Sequence, residues 1–277
     1  MAEPTILTVD DYVEWPAVPA TARYTYGADP AHFGDLYVPA QGAQHPVIVL
    51  IHGGCWRAQY ALEPLGRFCE ALVNQGVAVW NLEYRRLGNG GGWPNTLLDV
   101  AAGVDYVRTL AGEYSLDLNR VVAAGHSAGG HLALWLAARH RLPATSPLAT
   151  PAPLPLTGAV ALAGIPDLVD AAERNICRGA VPELLGGAAV DVPFRYRDAS
   201  PSAFLPLGVP QHLIIGTRDQ AVPLVHNENY VAAARRLGDR VTLTVLPAIG
   251  HFEIVTPEST VWPTVQEAIL TLLHQRG

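Results

Sequence analysis

Short apolar runs alternate with helical patterns along most of this chain. The apolar runs span residues 47–51, 77–82, 121–124, 159–163, 212–215 and 241–246, and the helical patterns span about 96–110, 128–141, 225–237 and 260–275. Strands that alternate with helices indicate βαβ units, which form a mainly parallel sheet covered by helices on both faces. Residues 23–38 alternate in hydrophobicity instead, and they predict an antiparallel hairpin at one edge. The sequence therefore predicts an α/β fold.

The chain of 277 residues is long enough for one large α/β domain. The prior of about 150 residues per domain favours two domains, but α/β folds often keep this length in one. We therefore expect residues 1–277 to form a single domain. Residues 166–208 follow the carboxyl end of the predicted strand at 159–163, and ligands bind at that end of a parallel sheet. This segment is the predicted cap or lid insertion.

The charge and hydropathy of the chain exclude several classes of function. The net charge is −7, and all 18 Lys and Arg positions are Arg, so the chain offers no lysine nucleophile. Nucleic-acid binding needs a basic face, and a membrane span needs about 20 apolar residues. The longest apolar runs, such as Val47–Ile51, are far shorter. We expect a small-molecule substrate and neither nucleic acid nor membrane as partner, and the sequence leaves a monomer and a homodimer open.

The N-terminus and the cysteines bear on the cellular compartment. Residues Met1-Ala2-Glu3-Pro4 lack the basic and then apolar pattern of a signal peptide. Cys55, Cys69 and Cys177 are an odd number without a CxxC pair, which predicts neither a disulfide framework nor a zinc site. The expectation is a reduced, cytoplasmic protein without a bound metal. Cys55 is interpreted as a small buried hydrophobic residue, with a reactive thiol as the alternative.

One motif points to nucleophilic catalysis. Gly125-His126-Ser127-Ala128-Gly129 fits the pattern G-x-S-x-G between a predicted strand and a predicted helix. A sharp strand-to-helix turn projects the serine hydroxyl clear of the sheet, and the flanking glycines permit the close approach. The helix N-terminus adds backbone donors for developing negative charge. Ser127 is therefore the candidate nucleophile, and the alternative is a glycine-rich turn with a capping serine.

A serine nucleophile needs a base, and the base needs an acid that orients it. His251 follows the last predicted strand, and Asp219 follows the strand at 212–215, so both lie at carboxyl ends of strands. The resulting chain order is Ser127, Asp219, His251, which is the order of α/β-hydrolases. Asp167, after the strand at 159–163, is the rival acid, and its alternative role is a loop cap.

His52-Gly53-Gly54-Cys55-Trp56 follows the first long strand. The backbone N–H groups at Gly53–Cys55, together with that of Ala128, predict an oxyanion hole for a tetrahedral intermediate. His52 is interpreted as a brace for this loop, and a second catalytic base is the alternative.

Aromatic residues adjoin the predicted site loops and predict an apolar, partly aromatic substrate pocket; they are Trp56, Trp93 and Phe252. Glu253 is interpreted as a solvated or helix-capping residue, and its alternative roles are to bind an amine or to orient His251. Arg85 and Arg86 are interpreted as surface or structural ion-pairing residues, with recognition of a substrate carboxylate as the alternative.

Taken together, these motifs resemble the α/β-hydrolase superfamily over about residues 20–275. The resemblance is carried by HGGCW at 52–56, GHSAGGHLA at Gly125–Ala133, and the ordered Asp219 and His251. Within the superfamily, the HGGxW loop and GHSAG elbow look like those of kynurenine formamidases (arylformamidases) and related small esterases. Hormone-sensitive-lipase-like esterases show HGGG and GDSAGG instead, and Cys55 and His126 depart from that pattern.

The resemblance implies a serine hydrolase of the α/β-hydrolase fold that needs no cofactor. It implies Ser127 as nucleophile, His251 as base and Asp219 as its partner. The implied oxyanion hole consists of Gly53, Gly54 and Ala128. The implied reaction is hydrolysis of an ester or formamide, with kynurenine formamidase as the specific expectation and a short-chain carboxylesterase as the alternative. An acyltransferase or lyase on the same fold, and a silent receptor, are the other classes that we weigh.

Overall fold

The computed structural model describes residues 6–42 and 44–274. Residues 1–4, on which the expectation of no signal peptide rests, lie outside the described residues. The described chain forms an eight-stranded sheet in the order β1-β2-β4-β3-β5-β6-β7-β8. The strands are β1 (Ala22–Thr25), β2 (Phe33–Tyr37), β3 (His45–Ile51), β4 (Ala78–Leu82), β5 (Leu116–His126), β6 (Gly158–Leu162), β7 (Gln211–Gly216) and β8 (Val241–Leu246).

The pairing of the strands confirms the mainly parallel sheet. The strands β3 to β8 pair in parallel throughout. The predicted edge hairpin is present, because β1 and β2 are antiparallel with Tyr24 opposite Gly34, and β2 is antiparallel to β4. The parallel strands all end at one edge of the sheet, so the loops after β3, β5, β7 and β8 share that edge.

Ten α-helices connect or flank the strands within the described residues: α1 (Val9–Val13), α2 (Gly66–Val73), α3 (Asn95–Asp105), α4 (Val107–Tyr114), α5 (Ala128–Ala138), α6 (Leu168–Glu173), α7 (Ala180–Leu185), α8 (Pro193–Ala199), α9 (Leu224–Arg236) and α10 (Trp262–His274). Short 3₁₀ helices span Glu63–Leu65, Arg139–Arg141, Pro201–Phe204 and Glu253–Val255. The single helix predicted at 96–110 is two helices that meet at Tyr106.

Two apolar layers hold the helices against the two faces of the sheet. Alternate residues of β3 point to opposite faces, so Val47, Val49 and Ile51 join one core cluster and Ile48 and Leu50 join the other. The first layer contains α3 to α5 and α9, and the second contains α2 and α10. All eleven residues of α5 are buried, which explains why this helix is apolar around its whole circumference.

Residues 166–208 form three short helices, α6 to α8, followed by the 3₁₀ helix Pro201–Phe204. Their buried apolar side chains belong to the same core cluster as α5. The segment therefore packs on one face of the molecule, beside the loop edge described above. Its role as a lid stays a prediction, as does the single-domain organisation of residues 1–277.

No described helix combines the length and the apolar character needed to cross a membrane. The described residues also contain no group of three or more His, Cys, Asp or Glu side chains placed to hold a metal ion.

Candidate active site

Ser127 occupies a strained turn between β5 and α5. Its φ of 55° and ψ of −119° lie in a region that non-glycine residues rarely adopt. The turn is tight because α5 starts directly against the end of β3: a Cβ on Gly129 would lie 2.0 Å from the backbone oxygen of Ile51. Only glycine fits there. Ser127 is 4% exposed and lines a cavity that opens at the loop edge of the sheet.

His251 and Asp219 form a hydrogen-bonded pair. His251 Nδ1 lies 2.7 Å from Asp219 Oδ2, and the other carboxylate oxygen accepts the backbone N–H groups of Ala221 and Val222, each at 2.8 Å. The Asp219 side chain is fully buried. An ionised carboxylate only accepts, so His251 Nδ1 carries the hydrogen and Nε2 keeps its lone pair. Because His251 and Ser127 line the same cavity, this lone pair belongs to the site of the serine.

The His126 side chain contacts both the ring and the backbone of His251. Sequence reasoning missed this role. His126 Nε2 lies 3.0 Å from the backbone oxygen of His251, and the two ring centroids are 4.5 Å apart. Burial, and secondarily the charge of His251, hold the pKa of His126 well below its ordinary value. His126 therefore stays neutral and donates from Nε2. The variable position of the G-x-S-x-G motif was the available signal, since a histidine there lies directly beside the serine.

Asp167, the rival acid, serves as the N-cap of α6. Its Oδ1 accepts the backbone N–H groups of Val169 and Asp170 at 2.9 and 3.1 Å. Asp167 therefore has the alternative role of a loop cap, and the carboxylate that contacts His251 is that of Asp219.

The loop after β3 approaches Ser127 closely. A Cβ on Gly53 would lie 3.0 Å from Ser127 Cβ and 2.7 Å from the backbone oxygen of His126, so a side chain there would displace the serine. Three consecutive residues from Gly54 to Trp56 have positive φ angles, which turn the loop sharply. The Ala128 N–H lies in the first turn of α5, where backbone donors lack intrahelical acceptors. Gly53 and Ala128, two of the three residues predicted for an oxyanion hole, are therefore adjacent to Ser127, and Gly54 follows Gly53 in the same loop.

His52 is a buried brace for this loop. Its Nε2 lies 2.9 Å from Glu83 Oε1 and its Nδ1 lies 2.8 Å from the backbone oxygen of Gly53, so both ring nitrogens are engaged. The Tyr84 hydroxyl donates to the backbone oxygen of His52, and the two rings stack. Burial alone would raise the pKa of Glu83, but His52 and Arg86 more than offset it and the pKa lies below its usual range. A second catalytic base at His52 is therefore excluded.

The structure corrects two of the three predicted pocket aromatics. Trp56 is fully buried and donates from Nε1 to His131 Nδ1 at 3.3 Å, so it belongs to the core. His131 Nε2 donates to the Ala199 backbone oxygen, and burial lowers the pKa of His131 to about 4. Trp93 packs on the same core and lies outside the cavity, and its backbone N–H donates to the Leu184 backbone oxygen. Phe252 lines the cavity as predicted.

The structure also shows the contacts of Glu253, Arg85 and Arg86. Glu253 is buried rather than solvated, and its Oε1 accepts the Leu7 backbone N–H at 2.8 Å, which holds the N-terminal segment against the cavity. Arg85 forms a structural ion pair with Asp99 at 2.7 Å, as interpreted from the sequence. Arg86 likewise pairs with Glu83 at 3.0 Å.

The expectation of reduced cysteines is wrong for two of the three. Cys55 of the loop after β3 and Cys177 of the segment 166–208 form a disulfide across a sequence separation of 122 residues. Cys69 is free and buried, and burial raises the pKa of its thiol. The sequence does not predict this pair, because the two loops are distant in the chain and only the fold brings them together. The argument from reduced cysteines to a cytoplasmic protein therefore fails.

We expect thiol titration of the unreduced, denatured protein to find one free thiol per chain, and three after reduction. Closing so long a loop constrains the unfolded chain, so Cys177→Ser should lower the free energy of unfolding by about 2–5 kcal/mol. Thermal melts of oxidised and reduced wild type provide the same comparison without a mutation. Three free thiols before reduction would contradict the disulfide.

The cavity measures about 880 Å³. Its walls come from the N-terminal segment 6–9, the loop after β3, residues 174–178, residues 218 and 220–223, and the His251-Phe252 pair. A cavity of this size accommodates a small molecule. The candidate nucleophile Ser127 and the candidate base His251 both line it.

Comparison with protein families matches residues 34–233 to the family described as BD-FAE. The chain is 30% identical to the esterase LipC of Mycobacterium tuberculosis (strain ATCC 25618 / H37Rv), over 98% of this chain and 72% of LipC.

Solved esterases share the fold. A truncated form of carbohydrate esterase from gut microbiota has a TM-score of 0.80 and 22% identity, over 94% of this chain and 99% of that one. The esterase Est2 of Thermogutta terrifontis, solved with propionate bound, has a TM-score of 0.76 and 21% identity, over 92% of this chain and 94% of that one. These likenesses confirm the predicted α/β-hydrolase fold.

Proposed function

The chain belongs to the BD-FAE family and is an α/β-hydrolase that acts on carboxylic esters, and from this premise we propose that it is a serine esterase with Ser127 as nucleophile. The observation that carries the proposal is the pairing of His251 with Asp219 beside Ser127 in one cavity. An orienting acid, a base with a free lone pair and a serine on a strand-to-helix turn are the parts that nucleophilic acyl transfer needs.

In the first half of the reaction, His251 Nε2 takes the proton of Ser127 Oγ as the oxygen attacks the ester carbonyl. The tetrahedral intermediate places its oxyanion against the N–H groups of Gly53, Gly54 and Ala128, each worth roughly 3–4 kcal/mol in the transition state. The C–O bond to the alcohol then breaks. His251 gives its proton to the leaving alcohol, and an acyl-serine remains.

In the second half, His251 takes a proton from water, which attacks the acyl-serine. The same donors hold the second oxyanion, and His251 returns the proton to Ser127 as the carboxylic acid departs. Asp219 keeps its carboxylate ionised throughout and stabilises the imidazolium that forms twice per turnover.

A short acyl group is the proposed substrate preference. The support is that Est2, which shares the fold, was solved with propionate bound. The arylformamidase expectation lacks comparable support: LipC, Est2 and the carbohydrate esterase are esterases by name, and two of the three aromatic residues predicted for its pocket lie outside the cavity.

The proposal is tested by comparing kcat/KM for p-nitrophenyl acetate, propionate, butyrate and dodecanoate, with N-formylkynurenine as the formamide. We expect the three short esters to be hydrolysed at least about tenfold better than the dodecanoate and better than the formamide. A preference for N-formylkynurenine by about a hundredfold would favour the arylformamidase instead. No turnover of any ester would contradict the proposal.

A further inference from the structure

The cavity wall is rich in arginine, although the net charge of the protein is −7. Four arginines line it, and no Asp or Glu is among the described residues that do; the arginines are Arg57, Arg174, Arg178 and Arg218. A cleft lined by one sign of charge concentrates oppositely charged molecules. Asp219 does not offset this wall, because its carboxylate is buried and engaged by His251 and by two backbone N–H groups.

Arg178 differs from two of these neighbours in its bonding. Arg57 forms an ion pair with Glu183 at 2.9 Å, and Arg174 forms one with Asp170 at 2.8 Å, although neither carboxylate lines the cavity. In residues 6–42 and 44–274, the Arg178 guanidinium has neither an ion-pair nor a hydrogen-bond partner. Its donors are therefore available to a ligand in the cavity.

The backbone fixes Arg178 close to the proposed oxyanion loop. Asn175, Cys177 and Arg178 all have positive φ angles, of 54°, 62° and 49°. Such conformations cost about 1 kcal/mol or more each and persist where the surroundings impose them. Here the disulfide to Cys55 ties the residue before Arg178 to the loop after β3, with the Cα atoms 5.5 Å apart.

We propose that the ester taken by this cavity carries an ionised carboxylate, and that Arg178 binds it. The inference rests on the proposed esterase function. Arg178 is an exposed residue at the cavity wall, and a guanidinium matches a carboxylate with two parallel N–H···O bonds.

The test uses two pairs of esters, so that the carboxylate is offered on either side of the scissile bond. The acyl-side pair is mono-p-nitrophenyl adipate and p-nitrophenyl hexanoate. The alcohol-side pair is 4-acetoxybenzoate and its methyl ester, followed at the acetyl group. In at least one pair we expect kcat/KM to favour the anionic member by about ten- to a hundredfold, as a charged hydrogen bond provides. Raising NaCl from low to high concentration should reduce that preference.

Arg178→Gln should abolish the preference and leave kcat/KM for the neutral esters within about threefold, whereas Arg178→Lys should keep part of it. Arg108→Gln is the control: it removes one positive charge from α4, where Arg108 pairs with Asp105. It should change neither the preference for the anionic ester nor kcat/KM for the neutral esters. Equal or poorer use of the anionic member in both pairs, or a preference that survives Arg178→Gln, would overturn the inference. Hydrolysis that persists in Ser127→Ala would instead overturn the esterase mechanism itself, so the two failures are distinguishable.

Discussion

Replacing Ser127 with Ala is expected to lower kcat for p-nitrophenyl butyrate at least about a thousandfold. The substitution removes the only atom that bonds to the acyl group, while the base, its acid and the oxyanion donors remain. Alanine accepts the same backbone conformation about as well as serine does, and Ser127 has no capping hydrogen bond in α5. The fold should therefore survive, and thermal melting should show a midpoint close to that of the wild type.

A serine outside the cavity provides the control. Ser146 lies in the connection after α5, where its hydroxyl accepts the Leu148 N–H, and Ser146→Ala should retain kcat within about twofold because Ser146 does not line the cavity. Near-normal turnover by a folded Ser127→Ala would mean that another group attacks the ester.

His251→Ala should also reduce kcat at least about a thousandfold, with a smaller change in KM. Without the imidazole, nothing in the site takes the Ser127 proton, and the leaving alcohol departs without a proton donor. His126 does not substitute, because its Nε2 is occupied by the backbone oxygen of His251 and its pKa is low. KM changes less because proton transfer acts in the transition state rather than in substrate binding.

The pH dependence provides an independent readout for His251. A general base must be unprotonated to act, so the part of the pH dependence of kcat/KM that the wild type owes to this base should be absent in His251→Ala. His140→Ala is the matched control, since His140 is exposed, does not line the cavity and hydrogen-bonds the Ala137 backbone oxygen at the end of α5. An unchanged pH profile and rate in His251→Ala would remove His251 from the mechanism.

The elements that the sequence predicted best are those with a local cause. The buried runs of β3 and β7 are short and rich in β-branched residues, and a parallel strand covered on both faces demands that composition. The elbow around Ser127 was recognisable because strand, glycine-flanked serine and helix are neighbours in the chain. The order of Asp219 and His251 followed from the carboxyl ends of their strands, and the structure joins them by a hydrogen bond.

The features that escaped prediction depend on contacts between distant segments. The Cys55–Cys177 disulfide joins loops 122 residues apart, and neither loop signals its partner. Trp56 lies two residues after Gly54, yet the turn of that loop directs its ring into the core against His131. Neither the hydrogen bond from His126 to the backbone of His251 nor the burial of Glu253 follows from hydropathy. The first requires the end of β5 to meet the loop after β8, and the second requires the N-terminal segment to meet that loop.

The central claim is that Ser127 carries the acyl group, and covalent labelling tests it most directly. The wild-type protein is treated with a fluorophosphonate, and intact mass and peptide mapping locate the adduct. We predict one adduct per chain, on Ser127, which is absent in Ser127→Ala and forms far more slowly in His251→Ala. An adduct on a different residue, or full ester hydrolysis by a protein that the reagent leaves unlabelled, would contradict the account.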